Sequence, residues 1–204
     1  MNGTDVVEMD RERPTGQNRD FPWDSFDSAS YFDHNYLSMR GDDRIIVEFI
    51  RDFFASAGIP EGSRAIDVGT GPNLYPALAV LPFVESIELY EFSAKNVDWL
   101  RRQQQAGWPT WDQSLSAFWR LYALSAGHAG LADPRRALAD RVSVVQGSVF
   151  DLERHPSVPF DAGTMFFCAE SLSDDREEFD AAVAQFLGVL KEGAPFAAAF
   201  MEMS

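Results

Sequence analysis

Large apolar residues recur along this chain in two rhythms. Short apolar runs alternate with longer stretches whose apolar side chains return every three or four positions. The first is the pattern of strands buried on both faces, the second that of helices lying against them. Arg64–Val68 reads as a strand closing on the turn Gly69-Thr70-Gly71-Pro72, and Ser86–Tyr90 as a second ending at Glu91. Val142–Gln146, a run through Phe160–Cys168, and Pro195–Met201 supply three more. Between them, Leu74, Leu78 and Leu81 mark a helix over 73–81, and Ser93 caps one carrying Val97 and Leu100. Phe179, Val183, Phe186, Leu187 and Leu190 mark another, ended by Gly193. Ahead of the first strand, Asp43 is expected to cap a helix with Ile46, Phe49, Ile50, Phe53 and Phe54 on one face, stopped by Gly58 and Pro60.

Residues 105–140 interrupt the alternation. Trp111, Leu115, Phe118, Trp119 and Tyr122 share one helical face, Gly127 and Gly130 break it, and Asp133-Pro134 opens a short helix. Strand alternating with helix predicts an α/β fold. We expect a doubly wound, Rossmann-like sheet of five mainly parallel strands in the order 3-2-1-4-5, with helices on both faces. Residues 1–20 are polar and read as a disordered arm. Residues 21–204 read as one domain with an N-terminal helical lid (21–57) and a helical insertion (105–140).

Composition narrows the function classes. The 204 residues are 46% apolar, with 17 Phe, 5 Trp and 5 Tyr, enough for a sizeable core. Lys and Arg total 17 against 32 Asp and Glu, a net charge of −15, which argues against nucleic acid or an anionic membrane as partner. The lone cysteine, Cys168, excludes an internal disulfide and a multi-cysteine zinc site. His34, His128 and His155 lack ligand spacing, so no metal is expected. With no leader-like N-terminus and no run of 18 apolar residues, the expected address is cytoplasmic.

Ligands of such sheets bind at the C-terminal ends of the strands. There, Gly69 and Gly71 let the backbone bend sharply and admit a ligand closely. The dinucleotide pattern is incomplete, because Asn73-Leu74 stands where a third glycine would be. That disfavours a nicotinamide-dependent oxidoreductase. A carboxylate at Asp67, beneath the turn, suits a ligand bearing an ammonium group. Glu91, 20 residues after Gly71, suits a bidentate grip on a ribose diol. The bland alternatives are a tight connection and an acid that caps the next helix.

Together these residues resemble class I S-adenosylmethionine-dependent methyltransferases. Tyr31-Phe32-Asp33-His34-Asn35-Tyr36, followed by Met39-Arg40-Gly41-Asp42, is similar to the lid of the nicotinamide/phenylethanolamine/indolethylamine N-methyltransferase family. Ala65–Tyr75 is similar to that family's version of the glycine turn. The resemblance runs from about Phe26 to Met203. It implies that Tyr31 and Tyr36 close over the cofactor, and that Gly69, Thr70, Gly71 and Tyr75 surround its methionine part, with Asp67 nearby. It implies that Glu91 holds the ribose, with Phe92 against the adenine and Asn96 close by. Ser148 and Val149 would lie at the adenine edge, although the family usually has Asp at the Ser148 position. Phe167 and Cys168 would line the cofactor. Glu170 and Asn35 would face the acceptor, a small molecule with an amine or heterocyclic nitrogen, and S-adenosylhomocysteine would be the product. The class adds two strands as a C-terminal hairpin, whereas this chain stops at Phe200–Ser204, so part of the acceptor wall is expected to be missing. A fold that binds the cofactor without turnover is therefore a second reading. Oligomeric state is not fixed by the sequence.

Overall fold

The computed structural model describes residues 17–109, 111–157 and 159–201, and no side chain at Arg19 or at 111–116. Five strands form one sheet: β1 (Arg64–Val68), β2 (Ser86–Glu91), β3 (Val142–Gln146), β4 (Ala162–Phe166) and β5 (Phe196–Ala199). Their order is β3-β2-β1-β4-β5 and every pairing is parallel. Asp67 lies beside Leu89 on one side and Thr164 on the other, so the ends of β1, β2 and β4 open together.

The helices are α1 (Ser28–Asn35), α2 (Gly41–Ser56), α3 (Tyr75–Val80), α4 (Ala94–Gln105), α5 (Trp111–Tyr122), α6 (Ala126–Ala129), α7 (Pro134–Arg141) and α8 (Arg176–Gly188). Two apolar clusters flank the sheet. Phe32, Val47, Phe54, Leu78, Trp108, Phe118 and Tyr122 belong to one. Ile66, Met165, Phe160, Leu152 and Phe186 belong to the other. Every residue of β4 is buried, which is why its sequence does not alternate apolar with polar.

Several boundaries and one face differ from the sequence expectation. The helix α2 starts at Gly41, so Asp43 is its third residue rather than its cap, and its carboxylate accepts the Arg40 N–H at 3.3 Å. The inward face of α2 is Asp43, Val47, Ile50 and Phe54. Phe49, expected in the core, is 70% exposed and Ile45 is 68% exposed. At 3.6 residues per turn, a face centred on Val47, Ile50 and Phe54 turns position 49 away. The helix over 73–81 is shorter than expected: Asn73 and Leu74 stay in the loop, where Asn73 Oδ1 accepts the Tyr75 N–H, and Leu81 begins a separate 3₁₀ turn. The fifth strand ends at Ala199 rather than Met201, because Met201 N–H turns to the Glu170 carboxylate at 3.1 Å. Of the expected arm, residues 1–16 lie outside the described residues. Asn18–Asp20 form a 3₁₀ turn instead of a disordered tail.

The other signals have clear causes. Asp27 caps α1, Ser93 caps α4 and Asp133 caps α7, each accepting backbone N–H groups of its first turn. In the insertion, Phe118 and Tyr122 are fully buried; the side chains of Trp111 and Leu115 lie outside the described residues. No helix among the described residues is long and apolar enough to cross a membrane.

Candidate functional site

A cavity of about 290 Å³ opens where β1, β2 and β4 end. Its floor is the turn after β1. Gly69 has φ +71°, and a Cβ there would collide with the Cys168 side chain. Gly71 has φ +50°, and a Cβ there would meet nothing nearer than 4.0 Å. The first glycine is thus demanded by packing as well as by backbone angle, and the second leaves an open approach. The Thr70 hydroxyl donates to the Asp67 carbonyl at 3.0 Å, and Gly69 N–H donates to the Tyr90 carbonyl at 2.8 Å.

Two carboxyl groups stand at this turn. Glu91 is 7% exposed and lines the cavity. Its Oε2 accepts the Gly71 N–H at 2.8 Å, and its Oε1 accepts the Ser93 N–H at 2.8 Å and the Asn96 amide at 3.3 Å. Burial pushes its pKa up, and these donors pull it back. Asn96 in turn accepts the Ser28 hydroxyl of α1 at 2.6 Å, which ties the lid to the carboxylate's support. Asp67 is 2% exposed and lies under the turn, outside the cavity wall. Its Oδ1 accepts the Thr164 hydroxyl at 2.6 Å and its Oδ2 has no hydrogen-bond partner. Burial, with the nearby Glu91 charge, pushes it up to about 7.

The other predicted residues divide by position. Tyr31, Tyr36, Thr70, Phe92, Asn96, Ser148, Val149, Phe167 and Cys168 join Gly69, Gly71 and Glu91 around the cavity. The Tyr31 and Tyr36 rings lie 6.0 Å apart, tilted across one another. Phe92 is 49% exposed at the rim. Ser148 Oγ accepts the Phe150 N–H at 3.2 Å. Burial pushes the Cys168 thiol well up, and the carboxylates of Glu91, Glu170 and Asp67 push the same way, which disfavours a reactive thiolate.

Three residues stand off the wall. Tyr75 is fully buried behind Tyr36, its ring stacked on Phe118 at 5.4 Å and its hydroxyl without a hydrogen-bond partner. The Asn35 amide donates to the Tyr31 carbonyl at 2.9 Å, closing the end of α1. Glu170 accepts the Met201 N–H beside Ser171 and Leu172, which do line the cavity.

The sequence reading missed a strap. Asn18, Trp23 and Phe26 line the cavity from the segment before α1, and Met201 lines it from beyond β5. Trp23 Nε1 donates to Asn18 Oδ1 at 2.9 Å, and Asn18 N–H donates to Glu178 of α8 at 2.7 Å. The Ser93 hydroxyl donates to the Trp23 carbonyl at 3.1 Å, and Ala94 N–H donates to Asp24 at 2.9 Å. The aromatic density of 21–26 was the only signal for this strap in the sequence.

A model of the NNMT/PNMT/TEMT family matches residues 17–200. The chain is similar to the phenylethanolamine N-methyltransferase of Sus scrofa, 25% identical over 186 residues that cover 82% of this chain and 63% of that one. The chain thus spans less than two thirds of that relative. Among solved structures it is similar to an O-methyltransferase family protein from Burkholderia thailandensis (TM-score 0.48, 15% identity, 80% of this chain and 38% of that one). It is also similar to the CcbJ methyltransferase from Streptomyces caelestis (TM-score 0.48, 16% identity, 85% and 58%). A third is SMU.1697c from Streptococcus mutans, a putative methyltransferase in complex with SAH (TM-score 0.47, 12% identity, 74% and 70%).

Proposed function

The chain belongs to the NNMT/PNMT/TEMT family of S-adenosylmethionine-dependent methyltransferases, and from that premise we propose that it transfers a methyl group from this cofactor to the nitrogen of a small amine or heterocycle. One observation carries the reading. The Glu91 carboxylate is fixed at the mouth of an open glycine turn, inside the cavity at the strand ends. The fit follows from the donor set. A carboxylate that keeps a free lone pair on Oε2 suits a sugar hydroxyl, the exposed Phe92 ring beside it suits a base, and the backbone at Gly71 leaves an open approach for a chain.

When bound, the cofactor supplies a methyl group on a positively charged sulfur, already activated for displacement. The protein then has to hold, orient and dry the site. Tyr31 and Tyr36 present ring faces and edges that exclude water and favour a cation over a neutral product. In-line orientation of acceptor and methyl is worth up to about 7–11 kcal/mol in favourable systems. No protein nucleophile is required, consistent with the suppressed Cys168 thiol. Glu170, off the wall but beside the cavity-lining Ser171, Leu172 and Met201, would attract an amine and receive its proton through water.

A second reading, binding without turnover, draws on the same geometry. Glu170 already accepts the Met201 N–H, and the Asn35 amide is engaged by Tyr31. Incubation with methyl-labelled cofactor and a panel of amines and pyridines separates the two. The first reading predicts a labelled acceptor and one equivalent of S-adenosylhomocysteine per transfer. Saturable binding with no labelled acceptor across the panel would support the second.

A further inference from the structure

The inward face of α1 carries a polar side chain that sits behind the cavity wall. Asp27 caps this helix, its carboxylate accepting the Ala29 and Ser30 N–H groups, and Ser28 and Phe32, four positions apart, both point inward. The Phe32 ring meets Trp99 of α4 at 6.3 Å, which supplies apolar packing between the two helices. One turn earlier, Ser28 is 5% exposed and supplies a hydrogen bond instead: its hydroxyl donates to Asn96 Oδ1 at 2.6 Å.

The direction of this bond is forced by its neighbours. Glu91 Oε1 accepts the Ser93 N–H and the Asn96 amide, so the amide faces the carboxylate with Nδ2, at 3.3 Å, and turns Oδ1 towards Ser28. An amide oxygen can only accept, so the hydroxyl must donate. The result is one directed chain from the lid helix to the carboxylate, Ser28 to Asn96 to Glu91. Asn96 lines the cavity, and its Nδ2 lies 4.0 Å from the place a Gly71 Cβ would take, at the open mouth of the turn. Nδ2 carries two hydrogens; Glu91 takes one, and the second meets no acceptor among the described residues. Glu91 Oε2 holds the Gly71 N–H and keeps one lone pair. A donor and an acceptor thus stand together at one spot. A vicinal diol completes both, one hydroxyl donating to Oε2 and the other accepting from Nδ2.

We propose that Ser28 is a positioning residue for the sugar: through Asn96 it holds an amide N–H against the second hydroxyl, and so raises the preference for a ribose over a deoxygenated sugar. This rests on the reading of the cavity as the site of an S-adenosyl nucleoside. Without the Ser28 hydroxyl, the buried Oδ1 loses its partner, and the amide turns or recruits water instead of staying aimed at the diol. Donation into Oδ1 also polarises the amide, which makes Nδ2 the stronger donor.

Calorimetric titration with S-adenosylhomocysteine and with its 2′,3′-dideoxy analogue tests it, because the ratio of the two affinities reports on the diol alone. The wild type should bind the ribose ligand at least tenfold more tightly than the dideoxy one. Ser28→Ala should shrink that ratio about fivefold, with dideoxy binding changed less than twofold, which also shows that the variant's site is formed. Ser28→Thr keeps the hydroxyl and should hold the wild-type ratio. In an Asn96→Ala background, Ser28→Ala should change the ratio less than twofold, because the effect runs through the amide. Equal weakening of both ligands by Ser28→Ala would make the contact a matter of lid packing and overturn the proposal, while leaving the cofactor reading intact. A wild type that binds neither ligand would overturn both.

Discussion

His128 and Asp67 are both buried titratable residues, and they tilt the pH dependence of stability in opposite directions. His128 stacks on Tyr122 at 4.9 Å, accepts the Ser125 hydroxyl at Nδ1, and donates from Nε2 to the Leu78 and Ala79 carbonyls. Burial lowers its pKa to about 4, which keeps the ring neutral near pH 7 with Nδ1 free to accept from Ser125. The unfolded chain, titrating near 6.5, therefore binds the extra proton first, and the stabilisation is lost as pH falls from about 6.5 towards 4. Asp67, raised to about 7, holds its proton in the folded state, so its contribution grows as pH falls through 7 and vanishes above it. Urea unfolding of wild type and His128→Gln at pH 7 and 5 checks this. The variant should be less stable at pH 7, and its change between the two pH values should be about 2 kcal/mol more favourable to the folded state at pH 5. Identical pH slopes would remove His128 from the account. None of this was legible in the sequence, where His128 is one of three scattered histidines. Its role depends on carbonyls about 50 residues away in the chain.

At the scale of elements, local chemistry was readable and long-range packing was not. The cap at Ser93, the helix opened by Asp133-Pro134 and the centres of the strand runs follow from nearest-neighbour rules, and the structure has them where expected, although β5 is shorter than its apolar run. The α2 face did not follow, because five apolar residues on a helix fit more than one stripe and the contacts with α3 and α5 choose among them. The strap over 17–27 was legible only as aromatic density at the start of the expected lid, and its course was not, for the same reason. Its hydrogen bonds run to Ser93, Ala94 and Glu178, 69 to 160 residues away. This strap should slow ligand release. Asp24→Ala removes the acceptor for Ala94 N–H, a contact of cap type worth about 1 kcal/mol. S-adenosylhomocysteine should then dissociate about fivefold faster in stopped flow. An unchanged rate would mean that the strap stays closed without this contact or does not gate the cavity.

For the molecule as a whole, the doubly wound sheet brings the loops after β1, β2, β3 and β4 to one edge, and α1 with the strap covers them. Twelve of the sixteen residues expected at the site converge on one cavity, because the strand ends that carry most of them are adjacent in any sheet of this order. The exceptions, Asp67, Tyr75, Asn35 and Glu170, differ in depth or direction, which spacing does not encode. The central claim is that Glu91 grips the sugar of an S-adenosyl nucleoside in this cavity. Calorimetric titration of S-adenosylhomocysteine into wild type and Glu91→Ala, with circular dichroism confirming that both are folded, tests it most directly. Loss of hydrogen bonds to a charged group, at about 1.5–3 kcal/mol, should turn one saturable site in the wild type into binding at least tenfold weaker in the variant. Equal affinity in the two proteins, or no binding to the wild type, would contradict the account.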